Sequence, residues 1–165
     1  MLSKLLGLIG KRKKSDIRKI SYSQSGEDLI VEFLFSWLGI ERFSYLDLGT
    51  NDPQKLNNTY LFYTKGHSGL LVEADSTLGN FIRKIRPKDE LIISAVSDIH
   101  DAEITFYKMN SDTLSSVSQE TVNSYEKNSN HKIDLAFKVS NIHINELLKK
   151  YFSNNTPEFI SYLRL

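Results

Sequence analysis

Two polar clusters, 24 positions apart, are the residues of this chain best placed to do chemistry. The first is Asp47-Leu48-Gly49-Thr50-Asn51-Asp52, which follows the apolar pair Tyr45-Leu46. The second is Glu73, which closes the run Gly69-Leu70-Leu71-Val72. Glycine lets backbone approach a ligand closely, and a carboxylate at the tip of the adjacent strand can accept from both hydroxyls of a ribose. The spacing predicts a nucleoside-containing cofactor bound outside the carboxyl ends of two neighbouring strands. The plainer readings are that Asp47 caps the turn beside Gly49 and that Glu73 is a solvated strand-end acid.

The turn chemistry bears on which nucleoside. A dinucleotide pyrophosphate wants G-x-G-x-x-G opening a helix, and this turn has one glycine followed by Asn51-Asp52-Pro53. An acid there repels a pyrophosphate. No G-x-x-x-x-G-K-[ST] occurs, which excludes a P-loop. S-adenosylmethionine carries a cationic sulfonium and ammonium and no phosphate, so an acidic turn suits it. That preference is modest, and a nicotinamide-cofactor oxidoreductase stays open as the weaker reading.

Other candidate chemistries find less support. His67, His100, His131 and His143 share no ligand spacing, so no metal site is expected. Ser115-Ser116 lacks a G-x-S-x-G elbow, which argues against a serine hydrolase. Tyr60, Phe62 and Tyr63 read as packing residues and not a base-stacking platform, because no basic residues interleave them. Arg83, Lys84, Arg86 and Lys88 read as a solvated helix face.

The elements that must position the two clusters alternate. Ser25 is expected to cap a helix from Gly26-Glu27-Asp28 whose Leu29, Ile30, Phe33, Leu34, Trp37 and Leu38 recur at helical spacing and stop at Gly39. Tyr45–Gly49 reads as a strand and turn, Leu56–Lys65 as a helix ended by Gly66, and Gly69–Glu73 as a second strand. Leu78–Arg86 is a helix closed by Pro87, and Leu91–Val96 a third strand. This alternation implies a parallel, doubly wound α/β sheet. Ile104–Tyr107 and Phe137–Ile144 are further strand-like runs, with Asn123–His131 a surface helix end or loop between them. Asn145–Tyr151 is helical, and Phe159–Leu163 begins one more strand.

The chain has 165 residues with 40% apolar and 25% charged residues, the balance of one globular domain. Cysteine is absent, which excludes a disulfide framework, a thiolate metal site and a cysteine nucleophile, and fits a reducing, cytoplasmic setting. Charge is segregated. Residues 1–20 carry seven basic groups against Asp16, a net of +6, while the remainder is net −5, summing to the +1 of the whole. Residues 1–20 thus form a basic leader ahead of a mildly acidic body, and no nucleic-acid partner is expected. Leu2, Leu5, Leu6 and Ile9 share a helical face before Lys11–Lys14, a pattern that could touch an anionic membrane surface only weakly. A frayed or packed helix is the plainer reading of it.

Several motifs in order resemble those of the FkbM-type methyltransferases. They are Ser23-Gln24-Ser25-Gly26-Glu27-Asp28, Tyr45–Pro53, Asn58-Thr59 and Gly66–Glu73, then Ala95-Val96-Ser97-Asp98, Ser115-Ser116 and the strand-helix unit Val139–Leu148. The likeness covers roughly residues 21–163. It implies a Rossmann-like class I methyltransferase fold, a three-layer sandwich with a mostly parallel sheet. It also implies S-adenosylmethionine as cofactor and O-methylation of a sugar or small-metabolite hydroxyl, in glycan or secondary-metabolite synthesis. By that likeness Asp47, Gly49 and Asn51 line the methionine side, Glu73 holds the ribose, and Ala95 and Val96 flank the adenine. Gln24, Glu27 and Asp28 close over the cofactor by the same likeness, although Glu27 and Asp28 are equally well explained as first-turn acids.

The resemblance fails at the end of the sequence. The family continues its fourth strand into D-x-E-G and further strands, whereas this chain reads Glu158-Phe159-Ile160-Ser161 and then Tyr162-Leu163-Arg164-Leu165. Residues 21–165 are therefore expected to be the N-terminal portion of a methyltransferase domain with its C-terminal strands missing. A shifted frame, a premature stop or a split gene would give that appearance. The competing expectation is a catalytically inactive remnant or binding subunit, forming a homo-oligomer or needing a complementing chain to complete its fold.

Overall fold

The computed structural model describes residues 18–152 and 157–162. Four parallel strands form the central sheet in the order β3-β2-β1-β7: β1 (Ser44–Leu48), β2 (Ser68–Glu73), β3 (Glu90–Ile93) and β7 (Phe159–Tyr162). The chain steps outward from β1 to β3 and then returns to pair β7 on the other side of β1. That reversal leaves a crevice at the carboxyl ends of the strands, where open α/β sheets bind ligands. The fold is thus mixed α/β with a parallel sheet, compatible with a Rossmann-like arrangement.

Strand alternation decides what each face buries. From β1, Tyr45 faces a cluster with Leu61, Phe62, Leu71 and Ile82, while Leu46 faces another with Leu70, Val72 and Leu147. Helices α1 (Glu27–Trp37), α2 (Tyr60–Thr64) and α3 (Ser76–Ile85) contribute to the first cluster, and α5 (Ile144–Tyr151) to the second. A second sheet of order β4-β6-β5 joins β4 (Ala95–Ser97) in parallel and β5 (Glu103–Met109) antiparallel to the long β6 (Ile133–His143). Helix α4 (Gln119–Asn128) lies between β5 and β6 in the chain, N-capped by Ser118. Among the described residues no helix is long and apolar enough to cross a membrane. The leader, with its membrane-facing pattern, lies outside the described residues up to Ile17, as do Leu163–Leu165.

Four local expectations are corrected. Leu91–Val96 is not one strand. Ser94 donates its amide to the Glu73 carbonyl at 2.9 Å and its hydroxyl to the Ser140 carbonyl at 3.0 Å, so the chain leaves β3 there and re-pairs as β4 on β6. The helix expected from Leu56 shrinks to α2. The Asp52 carboxylate takes the amides of Gln54 and Lys55, each at 2.8 Å, in a side-chain turn, and Leu56 sits at φ 54°. Ser25 does not cap α1, whose N-cap is Gly26 at φ 90° with no side-chain cap. Ser23 instead accepts the Gly26 amide at 3.1 Å.

Helix α1 forms where the helical spacing put it; of its periodic residues Ile30, Phe33, Leu34, Trp37 and Leu38 are exposed, and Leu29, Val31 and the Phe35–Phe43 ring pair hold it to the body. The fourth correction is Arg86, which is 1% exposed and not part of a solvated face. It follows α3 at the C-cap, where helix carbonyls favour a cation, and turns inward to buried carboxylates.

Gly69 is required where β2 runs beside β1 opposite Tyr45, because a Cβ there would run into the Tyr45 ring and carbonyl oxygen. Gly69→Ala is expected to lower the unfolding free energy by about 1–3 kcal/mol, the usual effect of overpacking a filled core. Urea denaturation followed by circular dichroism measures it.

Candidate functional site

A cleft of about 400 Å³ opens at the carboxyl ends of the strands, within the size range of small-molecule sites. Leu48 and Gly49 enter it from the end of β1, Val72, Glu73 and Ala74 from β2, and Ser94–Asp98 from the β3–β4 crossing. Phe106, Ser116–Ser118 and Ile144 close it from the second sheet and its flanks. Eight of these residues carry apolar side chains and six carry hydroxyls or carboxylates, so the cleft combines an apolar surface with several hydrogen-bonding groups. A smaller cavity of about 20 Å³ adjoins it, lined by Gly49, Asn51, Glu73, Asp75, Leu78, Phe106, Asp112 and Ser115. Glu73 and Gly49 border both spaces.

Local backbone chemistry brings Glu73 there. Gly49 at φ 73° and Asn51 at φ 53° turn the chain sharply after β1. The amides of Gly49 and Thr50 both donate to the Val72 carbonyl, at 2.9 and 3.1 Å, so the turn is stitched to β2. One Glu73 oxygen then accepts the Asn51 amide at 2.8 Å and the other accepts the Asp75 amide at 2.8 Å. A carboxylate has about four acceptor positions, so each oxygen keeps capacity for a ligand hydroxyl. Glu73 is 5% exposed, which excludes the solvated strand-end reading. Burial pushes its carboxyl above the ordinary range, against the pull of the Asp75 and Asn51 amides.

Asp75 follows a different course. Burial raises its carboxyl, but the Lys108 ammonium at 2.6 Å and the Thr77 amide at 2.8 Å outweigh that and hold it low. It caps α3 by accepting the Thr77 amide, which places a carboxylate at that helix start. A pyrophosphate approaching the helix would meet that negative charge.

Asp47 lines neither cavity. Its carboxylate is buried on the opposite face, accepting from Thr59 Oγ1 at 2.7 Å and Asn57 Nδ2 at 3.3 Å, with Arg86 Nη1 at 3.9 Å. It is therefore neither a turn cap nor directed into the cleft. Burial raises its carboxyl, and the Arg86 guanidinium works against that rise. Arg86 also donates to Asp89 at 2.7 Å, Asn57 at 3.1 Å, Thr59 at 2.9 Å and the Tyr45 hydroxyl at 3.0 Å. Asp89 in turn accepts from the Tyr45 hydroxyl at 2.8 Å and the Gly69 amide at 2.9 Å.

Of the residues singled out from sequence, Gly49, Glu73, Ala95 and Val96 meet in the larger cleft, and Asn51 stands in the smaller cavity beside it. Gln24 is exposed, and Glu27 accepts the nearby Ser25 amide at 2.8 Å. Asp28 is buried and gathers the hydroxyls of Ser21 and Ser23 and the Tyr22 amide at 2.6, 2.9 and 2.7 Å. None of the three lines a cavity. Sequence reasoning missed Phe106, Ser94, Val117, Ser118 and Ile144. The Ser115-Ser116 pair and the Val139–Leu148 unit in the motif order hinted at this wall; Ser116 reaches the cleft through an antiparallel bridge to Tyr107 of β5, with amide–carbonyl bonds of 2.8 and 3.0 Å. Among the described residues no group of three or more His, Cys, Asp or Glu could hold a metal ion.

Comparison of the chain with protein-family models, curated proteins and solved structures found no match. The cleft has to be read from its own chemistry.

Arg86→Met leaves the buried carboxylates of Asp47 and Asp89 without their cation and is expected to cost about 3–5 kcal/mol of stability in urea unfolding. A second expectation concerns pH. Glu73 has a raised carboxyl in the folded chain, so the folded state holds its proton longer than the unfolded state. Stability from this group is fullest below its ordinary value of 4.5 and falls as pH rises through the folded value. The stability of wild type relative to Glu73→Gln should decline across that window; a difference that stays flat or rises with pH refutes it.

Proposed function

We propose that this chain binds S-adenosylmethionine in the larger cleft and carries the cofactor half of an O-methyltransferase. The observation that carries the proposal is Glu73, a buried carboxylate anchored by two backbone amides, standing between the Gly49 turn and an apolar slot at the sheet's reversal point. The residues present fit that cofactor. Val72, Ala74, Ala95, Val96 and Phe106 offer an apolar slot for an adenine, and Glu73 offers acceptors for a ribose. The capped start of α3 disfavours a pyrophosphate, which weighs against a nicotinamide dinucleotide.

When bound, S-adenosylmethionine supplies an electrophilic methyl group on a sulfonium. The chain's part is to hold the reactants in line, so that a sugar or small-metabolite hydroxyl gains the methyl and yields its proton to a base. Glu73 and Gly49 bind and orient. Asp47 acts through the backbone: with Asn57, Thr59 and Arg86 it fixes the segment after β1 from behind. The FkbM-type resemblance of the motif order supports the same reading, and the acceptor class rests on that resemblance.

A second reading is a non-catalytic binding subunit. Among the described residues, none of Phe159–Ser161 lines the cleft. A chain in this state would bind cofactor without turning over.

Calorimetric titration with S-adenosylmethionine tests the proposal. Saturable binding is expected, weakened about 10- to 100-fold in Glu73→Gln, the range for losing a hydrogen bond to a charged group. A folded chain that binds no S-adenosylmethionine overturns it. Binding without methyl transfer to any hydroxyl acceptor selects the binding-subunit reading.

A further inference from the structure

We propose that Lys108 is a positioning residue for the larger cleft: its ammonium, brought from β5 of the second sheet onto Asp75, supplies the cation that lets Glu73 and Asp75 stand side by side at the cleft. Its bearing on a cofactor rests on the reading above, whereas its bearing on Glu73 rests on the geometry alone.

Acids crowd this place. Glu73, Asp75 and Asp112 line the smaller cavity, and Asp98 stands with Glu73 in the larger cleft. Among the described residues no lysine, arginine or histidine lines either space. Glu73 and Asp75 are tied to each other, because the Asp75 amide donates to one Glu73 oxygen at 2.8 Å. Like charges held this close make each carboxylate harder to ionise. Lys108 relieves that crowding from outside the lining. Its Nζ donates to Asp75 Oδ2 at 2.6 Å and stands 3.9 Å from Asp112 Oδ1.

Strand alternation carries Lys108 there. It shares a face of β5 with Phe106, which lines both spaces. Strand β5 belongs to the second sheet, whereas Asp75 opens α3, which packs on β2 and β3. The ion pair therefore joins the second sheet to the start of α3, two residues from Glu73. The Lys108 side chain is 31% exposed, and a half-open pair of that kind adds little stability by itself. Its importance lies in what Asp75 touches. The Asp75 hydrogen bond holds the Lys108 ammonium above its ordinary range, and the charges of Asp112 and Glu73 add to that. On Glu73, burial is the main upward push and the Asp75 charge adds to it.

The chemical consequence is the kind of hydrogen bond Glu73 can make. Ionised, it offers acceptors only, which suits a ligand presenting two hydroxyls; protonated, one of its oxygens becomes a donor. By matching the Asp75 charge, Lys108 favours the ionised form.

Carboxyl titration of the whole chain, followed by carbon-13 NMR on labelled glutamate, tests this, with the Glu73 signal assigned by its loss in Glu73→Gln. In Lys108→Met the Glu73 midpoint should move to higher pH. In Asp75→Asn, which keeps a capping side chain at α3, it should move to lower pH. Lys108→Arg should restore the wild-type midpoint. The opposite signs separate a charge effect from a loss of fold. The affinity for S-adenosylmethionine should rise with pH as Glu73 loses its proton, and within that rise Lys108→Met should bind about 2- to 10-fold more weakly than wild type, the range for one weakened hydrogen bond. A Glu73 midpoint that stays put in Lys108→Met, or moves as far in Lys108→Arg, overturns the proposal. The expected midpoint shifts in a chain that binds no S-adenosylmethionine overturn the cofactor reading and leave the action of Lys108 on Glu73 standing.

Discussion

The Arg86 guanidinium is the point on which the rest of the structure turns. It sits in the core at the end of α3, fully surrounded by acceptors from β1, the segment after β1, and the loop leading into β3. A guanidinium cannot shed its proton, so burial is tolerable only while its donors are met and its charge is balanced. Asp89 at 2.7 Å and Asp47 at 3.9 Å supply the balance. Tyr45 places both its hydroxyl and its ring against the same group. No buried side-chain nitrogen or oxygen among the described residues lacks a partner, so the network is closed.

That closed network reaches the cleft through the chain it immobilises. Asn57 donates its side-chain amide toward Asp47 and the carbonyls of Thr50 and Asp52, and its own amide goes to the Tyr22 carbonyl at 2.9 Å. The Gly49–Asn51 turn is therefore gripped from behind by Asn57 and from the front by Glu73. Asp28 does the same for residues 21–23, so the segment before α1 is tied to this hub as well. Two carboxylates that sequence reading grouped with a cofactor, Asp47 and Asp28, are engaged in buried hydrogen-bond networks instead. Glu73 reaches the cleft itself. In this arrangement the ion network lies behind the turn, and Glu73, held by two backbone amides, faces the cleft.

Much of the fold was legible in the order of residues. An apolar run ended by Gly49 marked β1 and one begun by Gly69 and closed by Glu73 marked β2, and Gly39 and Gly66 stopped their helices at positive φ, 72° and 93°. The 24-residue interval from Gly49 to Glu73 correctly brought those two residues to one place, because adjacent parallel strands carry their carboxyl ends side by side. Less legible was anything that depended on which partner a segment chose. Leu91–Val96 is one apolar run by composition, but Ser94 divides it between two sheets. Arg86 stands among three other basic residues and differs from them only in what lies beneath it.

The sequence by itself determined the periodicities, the stops and the spacing of the two acidic strand ends, because these depend on neighbours a few residues apart. Only the tertiary structure decided which carboxylate faces the cleft and which faces a buried cation. Asp47 and Glu73 both lie at or near the ends of parallel strands, and the pleat alone does not say what each face will meet. Arg86 lies 39 positions beyond Asp47, and Phe106 lies 33 beyond Glu73. Contacts at such separations are fixed by how strands pair and helices pack, and that information is spread over the whole chain.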